Sequence, residues 1–203
     1  MSSLAHAHDL LVSLRERCHV FMLAPTKKWL LEELHELPED SNRYEVIRGM
    51  LFVTPAPTYS HQEIVARLTH LLVPYVTLQQ LGFVFHPRAV LQYDESQVEP
   101  DLMVRQPHPD KGLSDWSTAP TPSLVVEVAS RSTRARDKHE KRSLYSDAGV
   151  PEYWIVDGLD RTITVVRAGA REVVQARGMA WHPHSATEPL EFDVADVFGE
   201  KRS

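Results

Sequence analysis

Cysteine is almost missing: the chain of 203 residues holds one, Cys18. That excludes an intramolecular disulfide and any zinc site built from several thiolates. Glycine is sparse, eight residues in all, and none composes the phosphate-cradling loops of nucleotide-binding proteins. The Gly-x-Ser-x-Gly elbow of serine hydrolases is absent as well. No apolar run approaches the ~20 residues a membrane-spanning helix needs; Leu124, Val125 and Val126 are already stopped by Glu127. Near the start, the apolar patch Leu10, Leu11 and Val12 is hemmed in by Asp9, Arg15, Glu16 and Arg17, which is not a secretory signal. The expectation is a cytoplasmic protein without membrane contact. Positive charge is in deficit, with 22 Lys and Arg against 28 Asp and Glu and a net charge of -6. Coating nucleic acid by bulk positive charge is therefore disfavoured. A local basic patch or bound metal ions would still bring a polyanion to an acidic protein.

What is present is the composition of a soluble globular domain, 42% apolar and 25% charged. Residues 1–22 read as an N-terminal extension, with Met22 as an alternative start, and residues 23–203 as one domain. Trp29 to His35 has helical spacing. Tyr44 to Val53 reads as two strands joined by a turn at Arg48-Gly49, and Pro55 and Pro57 enforce a loop after them. Ser60 and Glu63 have capping-box spacing and open a helix to about Gln80, with Ile64, Leu68, Leu71, Leu72 and Tyr75 on its buried face. Strands are expected over Phe83 to Val90, Pro100 to Val104 and Leu124 to Ala129, with a loop from Gln106 to Pro122 before the last. A helix follows from Asp137, capped with Glu140, to Ala148, where Gly149 stops it. Then come strands at Tyr153 to Val156 and Thr162 to Arg167, a hairpin partner at Glu172 to Ala176, and an amphipathic tail, Leu190 to Phe198. This order predicts a mixed α/β sandwich rather than regular doubly wound repetition.

Three features break the structural pattern. Glu127 stands in the middle of a buried-strand sequence, on one face with Val125 and Ala129. Burying an unpaired carboxylate costs several kcal/mol in practice, so it needs a partner, a proton or a metal; a core arginine would serve equally well. Asp101 opens the strand before it, where a solvated rim position is the plainer reading. The basic run Arg131, Arg134, Arg136, Lys138, Lys141 and Arg142 follows Glu127. A run of this kind is ordinarily a solvated helix face. Lys141, at the border of the buried face, is nevertheless within reach of the end of the Glu127 strand. Two carboxylates on neighbouring strands and a lysine on the next helix are the groups phosphodiester hydrolysis needs. Hard oxygens hold Mg²⁺, the cation acidifies water, and an ammonium stabilises the transition state.

Tyr44-Glu45-Val46-Ile47-Arg48-Gly49, His61 at a helix start, Pro100-Asp101, Glu127 to Ser130 with Thr133, Asp137, Lys141 and Tyr145, and Gly149 to Asp157 together resemble the Uma-two family. That family belongs to the PD-(D/E)XK nuclease superfamily, and the likeness runs from about Trp29 to Phe198. The resemblance implies a restriction-endonuclease-like core, a mixed central β-sheet flanked by helices. It implies a Mg²⁺-dependent DNA endonuclease, with Mn²⁺ as a substitute, in which Asp101 and Glu127 hold the metal and Glu45 assists. The superfamily pattern places lysine two residues after the glutamate, where this chain has Ala129. The resemblance implies that Lys141 replaces it from the following helix; otherwise the protein is a weakened or inactive nuclease serving as a nucleic-acid-binding or assembly module. His61 is a further candidate for the site. Ser130 and Thr133 are read as helix caps, and Tyr145, Tyr153 and Trp154 as packing. Arg131, Arg134 and Arg136 are the expected contacts to the phosphate backbone. Cutting both strands would favour a homodimer.

Overall fold

Alternating apolar residues pair into hairpins, and the hairpins fix where the helices must lie. The computed structural model describes residues 27–109, 115–130 and 133–199. The expected extension 1–22, with Met22 and Cys18, and Arg131 in the basic run lie outside the described residues. In chain order the elements are β1 (Arg43–Ile47), β2 (Met50–Thr54), helix α1 (Tyr59–Leu78), β3 (Phe83–Phe85), β4 (Leu91–Tyr93), β5 (Ser96–Val98), β6 (Leu102–Arg105) and β7 (Leu124–Ala129). Helix α2 follows in three parts, Arg134–Arg136, a π-helical Asp137–Lys141 and Arg142–Asp147. The chain then forms β8 (Glu152–Asp157), β9 (Thr162–Arg167), β10 (Val173–Gln175), β11 (Gly178–Trp181), β12 (Leu190–Asp193) and helix α3 (Val194–Phe198).

The central sheet has six strands in the order β10-β9-β8-β7-β6-β3. Its strands are antiparallel except for β7 and β8, which run parallel. A parallel neighbour needs a long crossover, and α2 supplies it. Strands β2, β1, β5 and β4 form a second, antiparallel sheet, and β11 and β12 a separate hairpin. The β1–β2 turn holds both Arg48 (φ 50°) and Gly49 (φ 78°) in the left-handed region, which suits a two-residue hairpin.

The central sheet is covered on both faces. One carries Leu102, Val104, Leu124, Val126, Val128 and Trp154 against the α1 stripe of Ile64, Val65, Leu68, Leu72 and Val76. The other carries Met103, Val125, Tyr153 and Ile155 against Leu144 and Tyr145 of α2 and Ile47, Phe52 and Val98 of the second sheet. Strand alternation puts Glu127 on this second face, where α2 and β1 converge.

Several element boundaries differ from the sequence reading. The strand expected over Phe83 to Val90 stops at Phe85, and β4 and β5 form a short hairpin that the pattern did not announce. Three-residue strands carry too little alternation to register. Trp29 to His35 becomes a 3₁₀ segment, Leu31–Glu36. Helix α1 is capped by Thr58, whose hydroxyl accepts from the His61 N–H at 3.3 Å, rather than by Ser60. Helix α2 begins earlier than Asp137. Ser130 Oγ accepts from Thr133 N–H (3.2 Å) and Thr133 Oγ1 from Ser130 N–H (3.0 Å), a reciprocal cap three residues apart. Among the described residues no helix is long and apolar enough to cross a membrane.

Candidate active site

Strands β6 and β7 pair with Leu102 opposite Val126 and Met103 opposite Val125. One further step in that register sets Asp101 opposite Glu127, so two acids face each other across adjacent strands. Asp101 is nearly sealed, 2% exposed. Its Oδ1 accepts from Arg43 Nη1 at 3.0 Å, and its Oδ2 takes the Val128 N–H at 2.8 Å and pairs with His61 Nε2 at 3.0 Å. Burial pushes the Asp101 carboxyl up, but the His61 hydrogen bond, the Arg43 charge and the Val128 N–H outweigh it and hold the pKa well below the carboxylate range.

Glu127 is held differently. Its Oε1 accepts from Lys141 Nζ at 2.7 Å and from Tyr145 Oη at 2.6 Å, whereas Oε2 takes no hydrogen bond among the described residues. Burial drives its pKa up to about 7; Lys141 opposes that rise, and the neighbouring charges of Asp101 and Asp137 add to it. Lys141 is completely buried and reaches Glu45 Oε1 as well, at 2.8 Å. Glu45 Oε1 also accepts the Glu99 N–H at 3.0 Å, and Arg136 Nη1 lies 3.5 Å from its other oxygen. For Glu45 burial again pushes upward, but Lys141, Arg136 and Arg43 together win and lower its pKa to about 2. Lys141, Arg136 and Arg43 thus all stabilise Glu45, whereas for Glu127 Lys141 and Arg43 work against two neighbouring acids.

The π-helical turn in α2 explains how the lysine arrives. Five residues per hydrogen-bonded turn widen the helix locally. Asp137, Lys141 and Tyr145, four apart, all become buried, while Lys138 stays exposed. Lys138 and Lys141, three apart in the basic run, are thereby separated, and Lys141 belongs to the interior.

Asp101, Glu127, His61 and Arg43 line a cleft of about 480 Å³, together with Arg88 and the Pro55 loop, whereas Lys141 and Glu45 are sealed in the interior. Among the described residues, no cluster of three or more His, Cys, Asp or Glu side chains forms a complete metal cage. The donor set is instead two facing carboxylates with one Glu127 oxygen free of hydrogen bonds. That suits Mg²⁺, which keeps most of its waters and binds through one or two carboxylates and the substrate's phosphate. The upward shift of Glu127 has the same sense, since a divalent cation would relieve the crowding of negative charge.

A family profile described as "Uma2: Putative restriction endonuclease" matches residues 31–195. The chain belongs to this family. Among solved structures, the Uma2 chain is similar to a putative nuclease belonging to DUF820 from Anabaena variabilis ATCC 29413, with a TM-score of 0.70 at 19% identity. The match covers 84% of this chain and 97% of that one, and it shows a shared fold. A comparison with curated proteins finds no match.

Within the Uma2 fold, Asp101, Glu127, Lys141, Glu45 and His61 come together from five separate stretches of sequence. The expected phosphate contacts do not share one surface. Arg136 is buried, its guanidinium beside Glu45 and over the Phe52 ring, because the start of α2 turns it inward. Arg134 is bound to Asp157 and Asp160. Sequence reasoning missed Arg43, read Asp137 as a helix cap, and favoured packing over a place in the site for Tyr145. Arg43 was recoverable: it lies two residues before Glu45 in a strand, so both share a face. Tyr145 lies four after Lys141, one helical turn along the same stripe.

Proposed function

We propose that this protein is a metal-dependent DNA endonuclease, with Mg²⁺ held by Asp101 and Glu127 and Mn²⁺ as its substitute. The observation that carries this reading is the register of β6 on β7, which sets Asp101 opposite Glu127, together with Lys141 Nζ at 2.7 Å from the glutamate. When bound, the cation would supply an acidified water and neutralise charge on the scissile phosphate.

The chain's own residues do the rest. Arg43 and the Val128 N–H lock Asp101 in one rotamer, so the cleft is preorganised rather than assembled by substrate. Lys141 brings a fixed positive charge to the wall through Glu45 and Glu127, where it stabilises the charge that builds on the phosphorane. His61, from the first turn of α1, holds Asp101 from the opposite side. Arg88, 65% exposed at the cleft, is better placed than Arg136 to meet the phosphate backbone. Each site cleaves one strand, so double-strand cutting calls for a homodimer, which acts in the cytoplasm.

The test is nicking of supercoiled plasmid with Mg²⁺ or Mn²⁺, beside Asp101→Asn and Glu127→Gln. Nicking that requires the metal and falls by about a hundredfold or more in both variants is expected. DNA retention without metal, unchanged by either substitution and without nicking, would leave a binding module and overturn the enzyme. Light scattering with and without DNA reads the assembly.

A further inference from the structure

Arg105 ends β6 on the same face as Asp101, four residues along the strand and roughly 13 Å away. It is 3% exposed. Its Nη1 makes one long bond to the Val90 carbonyl, 3.4 Å, and its Nε is buried with no acceptor among the described residues. Every other buried arginine of the site has a carboxylate beside it; Arg105 has none among the described residues. Burial alone acts on it and draws its pKa down to about 10. A buried cation without a counter-ion is costly, and proteins ordinarily avoid it.

The guanidinium lines a half-open pocket of about 200 Å³. Trp116 lies under it, with Arg105 Cζ 5.7 Å from the ring centroid. Phe85 meets that indole edge-on at 5.8 Å, and Pro120 completes an apolar wall. Asp115, the one acid on the rim among the described residues, is directed elsewhere: its Oδ1 accepts both the N–H and the hydroxyl of Ser117. The pocket is too small for a whole drug-sized molecule but roomy enough for one anionic group beside one flat ring. Phe85 leads directly into His86, Pro87 and Arg88, which line the candidate catalytic cleft, so one chain segment borders both.

We propose that this pocket is a nucleotide subsite in which a phosphate pairs with Arg105 and the attached base packs against Trp116 and Phe85. The part of the guanidinium that faces the pocket offers N–H donors to phosphate oxygens, and aromatic faces accept any base without reading its sequence. As a subsite of the same nucleic-acid substrate, the proposal rests on the nuclease reading. It gives the enzyme a second hold on the strand, away from the scissile phosphate.

The experiment is calorimetric titration of the full chain in EDTA with dAMP, deoxyadenosine and inorganic phosphate. Using EDTA separates this pocket from the metal site. dAMP is expected to bind more tightly than either fragment. Arg105→Lys keeps a charge but loses the fork, and should weaken dAMP by about tenfold, the loss of a charge-assisted hydrogen bond. Trp116→Ala, at a partly exposed position, should weaken dAMP and leave inorganic phosphate unchanged. Asp101→Asn should leave dAMP binding intact. Failure of dAMP to bind, equal binding by Arg105→Lys, or loss in Asp101→Asn overturns the subsite. So does deoxyadenosine binding as tightly as dAMP. Binding of dAMP by a protein that never nicks plasmid would keep the subsite while the nuclease reading fell, so the two failures are distinguishable.

Discussion

Replacing Lys141 by methionine keeps the length of the stem and removes the one cation shared by two buried carboxylates. Nζ makes contacts of 2.8 Å to Glu45 and 2.7 Å to Glu127. Removing one partner of a buried ion pair costs about 3–5 kcal/mol. Two features moderate that cost. Glu45 keeps Arg136 at 3.5 Å, and Glu127, already pushed up to about 7, takes a proton instead of standing as an unpaired anion. The wild-type protein ionises Glu127 above pH 7; the variant, with its pKa raised further, does not. The unfolded chains are alike, so the stability gap between the two widens by about 1 kcal/mol from pH 5.5 to pH 8. Urea denaturation should therefore show a loss of about 3 kcal/mol at pH 5.5 and about 4 kcal/mol at pH 8, near 10 °C in melting temperature for a chain of this size. The same substitution in a Glu127→Gln background should cost less by about 1 kcal/mol or more. A loss below about 1 kcal/mol at both pH values would refute the premise that the lysine is the ionic keystone of the cleft.

Further outcomes follow from the same geometry. Glu127, with its folded pKa raised from 4.5 to about 7, contributes stability at acid pH that is lost as pH rises through 7; Glu127→Gln should flatten that decline in chemical denaturation. Glu45, lowered to about 2, contributes stability above pH 4.5 that is lost as pH falls toward 2; Glu45→Gln should remove that acid limb. Millimolar Mg²⁺ should raise the melting temperature more at pH 8 than at pH 6, because it displaces the Glu127 proton. Equal shifts in the wild type and the Asp101→Asn, Glu127→Gln double variant would place the cation elsewhere. Arg43→Leu leaves Asp101 buried without its cation and should cost about 3 kcal/mol in urea midpoints, with nicking reduced alongside. Gly82 sits at φ 107°, and an added Cβ would lie 2.2 Å from the Arg105 carbonyl; Gly82→Ala should destabilise by about 2 kcal/mol or more and is read by thermal melting.

The sequence by itself determined a good deal of this protein. The Leu124–Ala129 strand, the Thr162–Arg167 strand, the Arg48-Gly49 turn and the apolar stripe of α1 are all legible, because burial imposes a period on residues adjacent in the chain. Glu127 stood out for the same reason, as a charge where the period demands an apolar side chain. The order of motifs carried the family. What the chain could not announce was which charges meet. The ion pairs join residues far apart in sequence, Arg43 with Asp101 and Glu45 with Lys141, and local patterning is blind to such distances. The inward turn of Arg136 was equally hidden. It follows from a π-helical segment and an earlier cap, which bring Arg136 and Lys141 of the basic run into the core. Charge type is written in the sequence, but whether a charge is solvated, paired or stranded depends on the dielectric and partners that packing provides. Only the tertiary structure could therefore separate Lys141, shared by two carboxylates, from Arg105, which has no counter-ion among the described residues.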